Sequence, residues 1–307
     1  MKRAVITGAT GAIGTALIRA LLDNGVEVLV ITRPDSKRND HIPKVPGVKV
    51  IFANLSDFAS LDVSAEGSCD VFFHLAWAGA SGAGRNDIYL QLDNIRYSLD
   101  AVRLAKRLGC HTFIGAGSQA EYGLSDRKLT ADTPTKPFIG YGFAKLCAGQ
   151  MTREYAHQQG LRHIWTRILS VYGPNDGANS MISMLVRNLT NRTPVDMTAG
   201  TQIWDYLYSS DAAKALYLLA EKGQDGKTYV LGSGTARPLK EYAEIIREEI
   251  GSDIRINYGA VPFSKNQVMY LCADILQLVL DTGWSPKTEF REGIRKILDH
   301  MEIKSNE

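Results

Sequence analysis

The chain has 307 residues, 45% hydrophobic and 22% charged, the profile of an ordinary globular protein long enough for a large core and one or two domains. Its 35 basic and 33 acidic residues leave a formal net charge of +2, spread along the chain without a basic block, which argues against nucleic acid or a membrane surface as the main partner. Cys69, Cys110, Cys147 and Cys272 lie far apart without metal-ligand spacing, and no apolar run approaches membrane-spanning length. Glycines interrupt the apolar stretch after Lys2-Arg3, where a signal peptide would need continuity, so a cytoplasmic protein with reduced thiols and no metal site is expected.

The first elements set the frame. Ala4-Val5-Ile6 reads as a short strand ending in Thr7-Gly8, and a helical pattern begins at Ala16 after Gly11 and Gly14. In a strand–turn–helix unit of this kind, Gly8 permits the sharp turn, Gly11 lets a pyrophosphate reach the backbone, and Gly14 lets the helix pack close to the strand. The free N–H groups and positive dipole end of the helix then face the phosphates. Asp23-Asn24-Gly25 stops the helix, and the apolar run from Val26 to Ile31 reads as a buried parallel strand, completing the context that the glycine pattern needs.

An acidic residue at the end of that second strand would bind a ribose 2′-hydroxyl. Thr32 stands there instead, with Arg33 and Arg38 following, which favours NADP(H) over NAD(H). Strands are predicted at 48–52 and 70–76, with a short helix after Asp57, and the glycine-rich loop from Trp77 to Arg85 lies where ligands bind in open α/β sheets. His74, inside an apolar strand, reads as a packed, hydrogen-bonded residue. Apolar residues from Ile88 to Leu108 recur at helical spacing, and Gly109 closes that helix.

A fifth strand, 111–114, leads to Ser118. After a turn-rich segment with Pro134 and Pro137, Tyr141 and Lys145 open a helix reaching about Gln158 and share one of its faces. The spacing predicts a strand at 163–169, a helix at 180–189, extended chain at 203–208, and a helix at 211–220 capped by Ser209, Ser210 or Asp211. Further elements are predicted at 229–231, 239–250 and 254–258, with two helices flanking Gly283-Trp284-Ser285-Pro286.

Ser118, Tyr141 and Lys145 make a chemical set. A free tyrosine, with a pKa of about 10, is a poor base at neutral pH; a nearby ammonium favours its phenolate. A serine hydroxyl opposite can hold a carbonyl or alcohol oxygen, so the three form a proton-transfer unit for hydride transfer at an oxygen-bearing carbon.

With these residues, the chain resembles the extended short-chain dehydrogenase/reductase family, also called the NAD-dependent epimerase/dehydratase family. The matching segments are Thr7 to Gly14, His74-Leu75-Ala76, Asn94, Ser118 to Gly123, Tyr141 to Lys145, Val171 to Pro174, Trp204 to Asp211, and Gly283 to Pro286 with Glu292-Gly293-Ile294. The resemblance implies an α/β architecture: a Rossmann doubly wound parallel sheet (1–170 plus about 203–232) and a smaller C-terminal α/β substrate domain (171–202 and 233–307). It further implies a homodimer built from the Ile88 and Tyr141 helices, and catalysis by Ser118, Tyr141 and Lys145. Cofactor contacts are implied at Thr7, Gly8, Gly11, Ala12, Ile13, Gly14, Asn54 (near adenine), Leu55, Leu75, Ala76, Tyr141 and Lys145, with Asn94 structural. Substrate contacts are implied at Trp77, Gln119, Ser170, Trp204 and Lys265.

Departures from the family pattern narrow the activity. Sugar-nucleotide dehydratases follow the active-site hydroxyl with Asp-Glu, whereas Gln119-Ala120 stands here, so dehydration is not expected. Trp204 replaces the usual Arg before Asp205, and Ser170 the Asn before the Tyr-Gly-Pro turn. The expected activity is NADPH-dependent reduction of a 4-keto sugar, nucleotide-linked as in CDP- or dTDP-6-deoxyhexose formation. The alternatives are an NAD-dependent nucleotide-sugar 4-epimerase and a non-catalytic nucleotide-binding regulator.

Overall fold

The computed structural model describes residues 1–306. Its first strand, β1 (Arg3–Thr7), passes through the glycine turn into α1 (Ala12–Leu22), and β2 (Glu27–Thr32) and β3 (Val48–Phe52) follow. Next come β4 (Val71–His74), α2 (Ile88–Arg107), β5 (Thr112–Ser118), α3 (Gly140–Gln158) and β6 (Arg162–Ile168). β7 (Ser170–Tyr172), α4 (Met181–Thr190), β8 (Val195–Met197), β9 (Ile203–Trp204) and β10 (Tyr206–Tyr208) lead to α5 (Ser209–Lys222) and β11 (Thr228–Leu231). The chain then runs through β12 (Arg237–Pro238), α6 (Leu239–Ile250), β13 (Ile256–Tyr258), β14 (Tyr270–Leu271), α7 (Leu276–Thr282) and α8 (Phe290–Asn306).

Seven strands form one parallel sheet in the order β11-β6-β5-β4-β1-β2-β3. The order reverses between β1 and β4, and in an open α/β sheet the crevice at such a switch point, outside the carboxyl ends of the strands, is the ligand site. The sheet buries both faces, which is why Val28 to Ile31 is an unbroken apolar run. On one side Leu17, Ile18 and Leu21 of α1 pack with Ala212, Leu216 and Leu219 of α5 and Leu278 of α7. On the other, Val102 and Ala105 of α2 and Ala156 of α3 pack over Phe72 and Phe113.

A third core joins α4, α6 and α8 through Leu185, Ile246 and Ile294, with the Tyr172, Tyr242 and Phe290 rings meeting at its centre. This part holds only two- and three-stranded sheets.

Helix ends follow their local chemistry. Asp87 accepts from the Leu90 N–H at 3.1 Å to start α2, and Gly109, with φ +75°, donates to Lys106 O at 3.0 Å to finish it. Three local expectations are corrected. The short helix expected after Asp57 does not form: a 3₁₀ turn, Leu55–Asp57, comes before it and 58–70 runs as turns and irregular chain. The stretch 203–208 is broken at Asp205, whose buried carboxylate accepts from the N–H groups of Ser233, Gly234 and Ala273 at 2.7–3.0 Å. And α5 begins at Ser209 without a side-chain cap. Asp211 is inside the helix, and its carboxylate accepts from Lys287 N and Thr288 N instead, anchoring the approach to α8.

Candidate active site

The nucleotide end of the site is shaped by backbone crowding. Gly8 has φ +74°, and a Cβ there would lie 2.7 Å from Ala76 N and Leu75 C, so the backbone of 75–76 closes directly on the turn. A Cβ on Gly14 would sit 2.3 Å from Gly8 O, whereas one on Gly11 would meet nothing nearer than Gly8 O at 3.9 Å. The turn is therefore packed shut at Gly8 and Gly14 and open at Gly11, where a phosphate can approach. Gly11 is also the N-cap of α1 and offers no side-chain acceptor, leaving the N–H groups at Ala12 and Ile13 for an anion.

Thr7 serves a different purpose. Its Oγ1 pairs with His74 Nδ1 at 2.9 Å and accepts from Ala76 N at 3.3 Å, tying β1 to the end of β4. His74 meets Ser98 through its other nitrogen at 3.4 Å, and burial depresses its pKa to about 3, so it is a neutral, packed imidazole.

At the end of β2, Arg33 is exposed. Its carbonyl accepts from Asn39 Nδ2 at 3.0 Å, and Asn39 Oδ1 accepts from the Thr32 hydroxyl at 3.0 Å, so the loop is closed by its own side chains. Arg38 donates to Asn175 O, in the segment after the Tyr-Gly-Pro turn. His41, not singled out by its sequence context, donates through Nδ1 to Thr10 O at 3.1 Å and abuts the glycine turn. Asn54 is exposed at the carboxyl end of β3 with its side chain turned to Asp57 at 3.1 Å, and Leu55 beside it is half-buried.

The three residues expected to be catalytic come together from two elements. β5 ends at Ser118, and the first turns of α3 carry Tyr141 and Lys145, which are buried at 9% and 3% exposure rather than lying on a solvent face. Lys145 Nζ donates to Ala116 O at 2.6 Å and lies 3.7 Å from the centre of the Trp77 ring. Burial depresses its pKa to about 7, and the Glu121 carboxylate opposes that fall. Burial also raises the Tyr141 hydroxyl above the usual tyrosine value, opposed by a hydrogen bond from Ser118 and by the Arg85 guanidinium. The ammonium is drawn to a carbonyl and an indole and sits 5.8 Å from the Tyr141 ring centre, while Arg85 stacks on that ring at 4.6 Å.

The residues expected on the substrate side divide. Trp77 stands edge-on to Tyr141 at 6.0 Å and is held by Gln91 Oε1, which accepts from its indole N–H at 2.9 Å. Asn94, nearly fully buried, bonds Ala78 N and Ala78 O, both at 2.9 Å, and so fixes the loop carrying Trp77. Gln119 follows Ser118 directly and is half-buried. Ser170 Oγ accepts from the Trp204 indole at 2.7 Å, so the two departures from the family pattern meet. Lys265 is exposed on the loop between β13 and β14.

Sequence reasoning missed Arg85, Glu121 and Arg167. Arg85 carries no local signature. Glu121 had one: Ser118-Gln119-Ala120-Glu121 has capping-box spacing, and Glu121 Oε1 accepts from Ser118 N at 2.8 Å.

A parallel sheet with a phosphate-binding turn at its switch point, and a buried Ser-Tyr-Lys set at the ends of the adjoining elements, defines a dinucleotide-dependent oxidoreductase. Residues 4–232 match the model of the NAD dependent epimerase/dehydratase family. The chain belongs to that family and is an NAD(P)-dependent enzyme of the extended short-chain dehydrogenase/reductase type. It is 24% identical over 310 residues to a CDP-abequose synthase of Salmonella muenchen, covering 98% of each chain. Among solved structures it resembles a Thermus thermophilus UDP-glucose 4-epimerase in complex with NAD (TM-score 0.86, 22% identity, 98% of this chain and 99% of that one). It also resembles RMD from Pseudomonas aeruginosa complexed with NADPH (TM-score 0.83, 18% identity, 99% of this chain and 100% of that one). Among the described residues no helix is long and apolar enough to cross a membrane, and no three side chains gather as a metal site.

Proposed function

We propose that this enzyme reduces the 4-keto group of a nucleotide-linked hexose, such as a CDP- or dTDP-6-deoxyhexulose, with NADPH as hydride donor. The observation that carries the reading is the buried Tyr141 hydroxyl, pushed up by burial and bonded to Ser118 at the end of β5. A proton donor of that kind suits reduction of a carbonyl. With Gln119-Ala120 after Ser118, there is no Asp-Glu pair to remove water. The likeness to a CDP-abequose synthase over nearly the whole chain supports the same class.

The residues fit a dinucleotide: the open approach at Gly11 and the uncapped N-terminus of α1 take the pyrophosphate, and the backbone at 75–76 lines the path toward Tyr141. The bound nicotinamide supplies the hydride. Ser118 Oγ–H donates to the substrate carbonyl oxygen and polarises it, and Tyr141 Oη–H gives that oxygen its proton as the carbonyl becomes an alcohol. The Arg85 and Lys145 cations favour the phenolate left behind until solvent returns a proton. Trp77, on the loop fixed by Asn94, packs edge-on against the Tyr141 ring and orients it.

We place the substrate against Trp77, Gln119 and the Ser170–Trp204 pair, between the nucleotide-binding part (1–170 with about 203–232) and the α4–α6–α8 part (171–202 and 233–307). A cytoplasmic homodimer belongs to the same reading. Ile88, Tyr89 and Leu92 of α2 and Phe143 and Met151 of α3 are exposed by 45–82%, an apolar surface that a second copy would cover. The purified protein is expected to arrive largely free of cofactor and to consume NADPH stoichiometrically with a 4-keto-sugar nucleotide. Tightly bound NAD, with sugars interconverted and no net consumption, would instead establish the epimerase.

Cofactor preference rests on Arg33, because Arg38 is engaged with Asn175. A planar pair of charge-assisted donors to a 2′-phosphate is worth about 1.5–3 kcal/mol, roughly one to two factors of ten in affinity. Arg33→Ala is therefore expected to weaken NADPH by that factor and leave NADH nearly unchanged in binding titrations. Equal wild-type affinities for the two cofactors would refute the preference.

A further inference from the structure

Behind the catalytic set lies a charged cluster that the reaction does not consume. Glu121 is 0% exposed and its carboxylate accepts from Ser118 N at 2.8 Å, Trp165 Nε1 at 3.1 Å and Arg167 Nε at 2.8 Å. Arg167, 5% exposed, also donates to Ala131 O at 3.0 Å and covers the Tyr122 ring at 4.6 Å. An ion pair buried this deeply costs more solvation than its attraction returns unless every donor and acceptor is used, so its presence in a core that could be apolar calls for a reason.

The glycines around it supply one. A Cβ at Gly115 would lie 2.3 Å from Trp165 Cζ3, one at Gly117 would lie 2.3 Å from Trp165 Nε1 and 2.4 Å from Glu121 Oε1, and one at Gly149 would lie 2.7 Å from Trp165 Cε2. The indole is thus wedged between β5, which ends at Ser118, and α3, which carries Tyr141 and Lys145. Its other face continues a stack through His163, at 6.2 Å, to Phe113. Glu121 joins this wedge to the backbone of Ser118.

We propose that Glu121 is the positioning residue of the active site, fixing Ser118 through its backbone N–H and locking the end of β5 to the catalytic helix through the Trp165 indole. The role rests on the oxidoreductase reading above. It accounts for the pairing with Arg167, which supplies one of the three donors that converge on the carboxylate in a dry interior. It also accounts for the small residues at 115, 117 and 149, which a side chain would drive into the indole. The groups that face Lys145 beside Glu121 are Tyr141 on its own helix, the Ala116 carbonyl, neutral His74, the Trp77 ring and Arg167 behind the carboxylate. The anionic Glu121 favours the charged amine, so its loss moves the Lys145 titration to lower pH.

The test is Glu121→Gln in the full chain, read in two ways that need no substrate. In ¹³C-lysine-labelled protein, with the Lys145 signal assigned by Lys145→Met, the titration midpoint is expected to fall by about half a unit or more. Ser118 amide exchange is expected to quicken by about tenfold or more. With NADPH and a 4-keto-sugar nucleotide, kcat is expected to fall about ten- to hundredfold at unchanged cofactor Kd, as misplacement of a catalytic group does. A variant with a lowered melting temperature but an unmoved Lys145 midpoint and unchanged Ser118 exchange would show that Glu121 is structural only and overturn the proposal. If Glu121→Gln does not fold, Trp165→Phe decides: it keeps the charge and removes one donor, and unchanged Ser118 exchange would overturn the role. Because the first two readouts are independent of turnover, a protein that reduces no keto-sugar would refute the functional reading and leave this one standing or falling on its own.

Discussion

Tyr141→Phe is expected to lower the rate of carbonyl reduction by about 10²–10⁴-fold, the usual cost of removing one acid/base group. The substitution deletes the hydroxyl and keeps the ring, and the ring is what the surroundings hold. Arg85 lies over it at 4.6 Å and Trp77 meets it edge-on at 6.0 Å. Ser118 keeps a local bond, because its hydroxyl oxygen also accepts from Ala120 N at 3.2 Å. Cofactor dissociation constants and melting temperature should therefore stay close to wild type, which separates lost proton transfer from lost structure. Single-turnover oxidation of bound NADPH at saturating substrate is the direct measurement. Turnover within a few-fold of wild type would mean that another group protonates the substrate oxygen.

Gly14→Val should remove most cofactor affinity. Even the first added carbon would stand 2.3 Å from Gly8 O and 2.7 Å from Ala9 Cα, both backbone atoms that cannot swing aside. Relief requires α1 to move off the turn, which carries the phosphate-facing N–H groups away from the Gly11 opening. Overpacking of this kind costs about 1–3 kcal/mol, and if it is expressed at the turn, NADPH and NADH both weaken by about ten- to hundredfold. Gly25→Asn is the control: Gly25 also has positive φ, +72°, but nothing lies within 4 Å of its added carbon, and Asn tolerates that conformation. Equal loss of affinity in the two variants, or none in Gly14→Val, would show that the close approach of helix and turn is not what builds the site.

Much of the architecture was legible because its signals are local. The three glycines of the first turn, the unbroken Val28–Ile31 run and the helical spacing of Ile88 to Leu108 each follow from backbone geometry or periodicity within one element. α6 was legible to the residue, and its end at Ile250 is set by Gly251 at φ +66°. Errors fell where a distant group prevailed over a local one. Ser209, Ser210 and Asp211 had the composition of a cap, yet the Asp211 carboxylate finds better donors at Lys287 and Thr288, far along the chain. Asp205 breaks an extended run for the same reason, being required by three N–H groups from two other loops.

Chemical types and their order can be read without any fold: a phosphate turn, a serine at a strand end, and a tyrosine and lysine one helical turn apart. These are set by covalent spacing and by the 3.6-residue period, which need no partner to be read. The electrostatics arise from packing between distant segments. A helix face shared by Tyr141 and Lys145 says nothing of what else closes over it, and here Ala116 and Trp77 claim the ammonium while Arg85 claims the tyrosine ring. Likewise Arg38, close to Arg33 along the chain, is committed to Asn175, 137 residues away. Burial and long-range pairing fix where a charge resides and what it costs, and both arise from contacts between segments whose proximity no local pattern encodes.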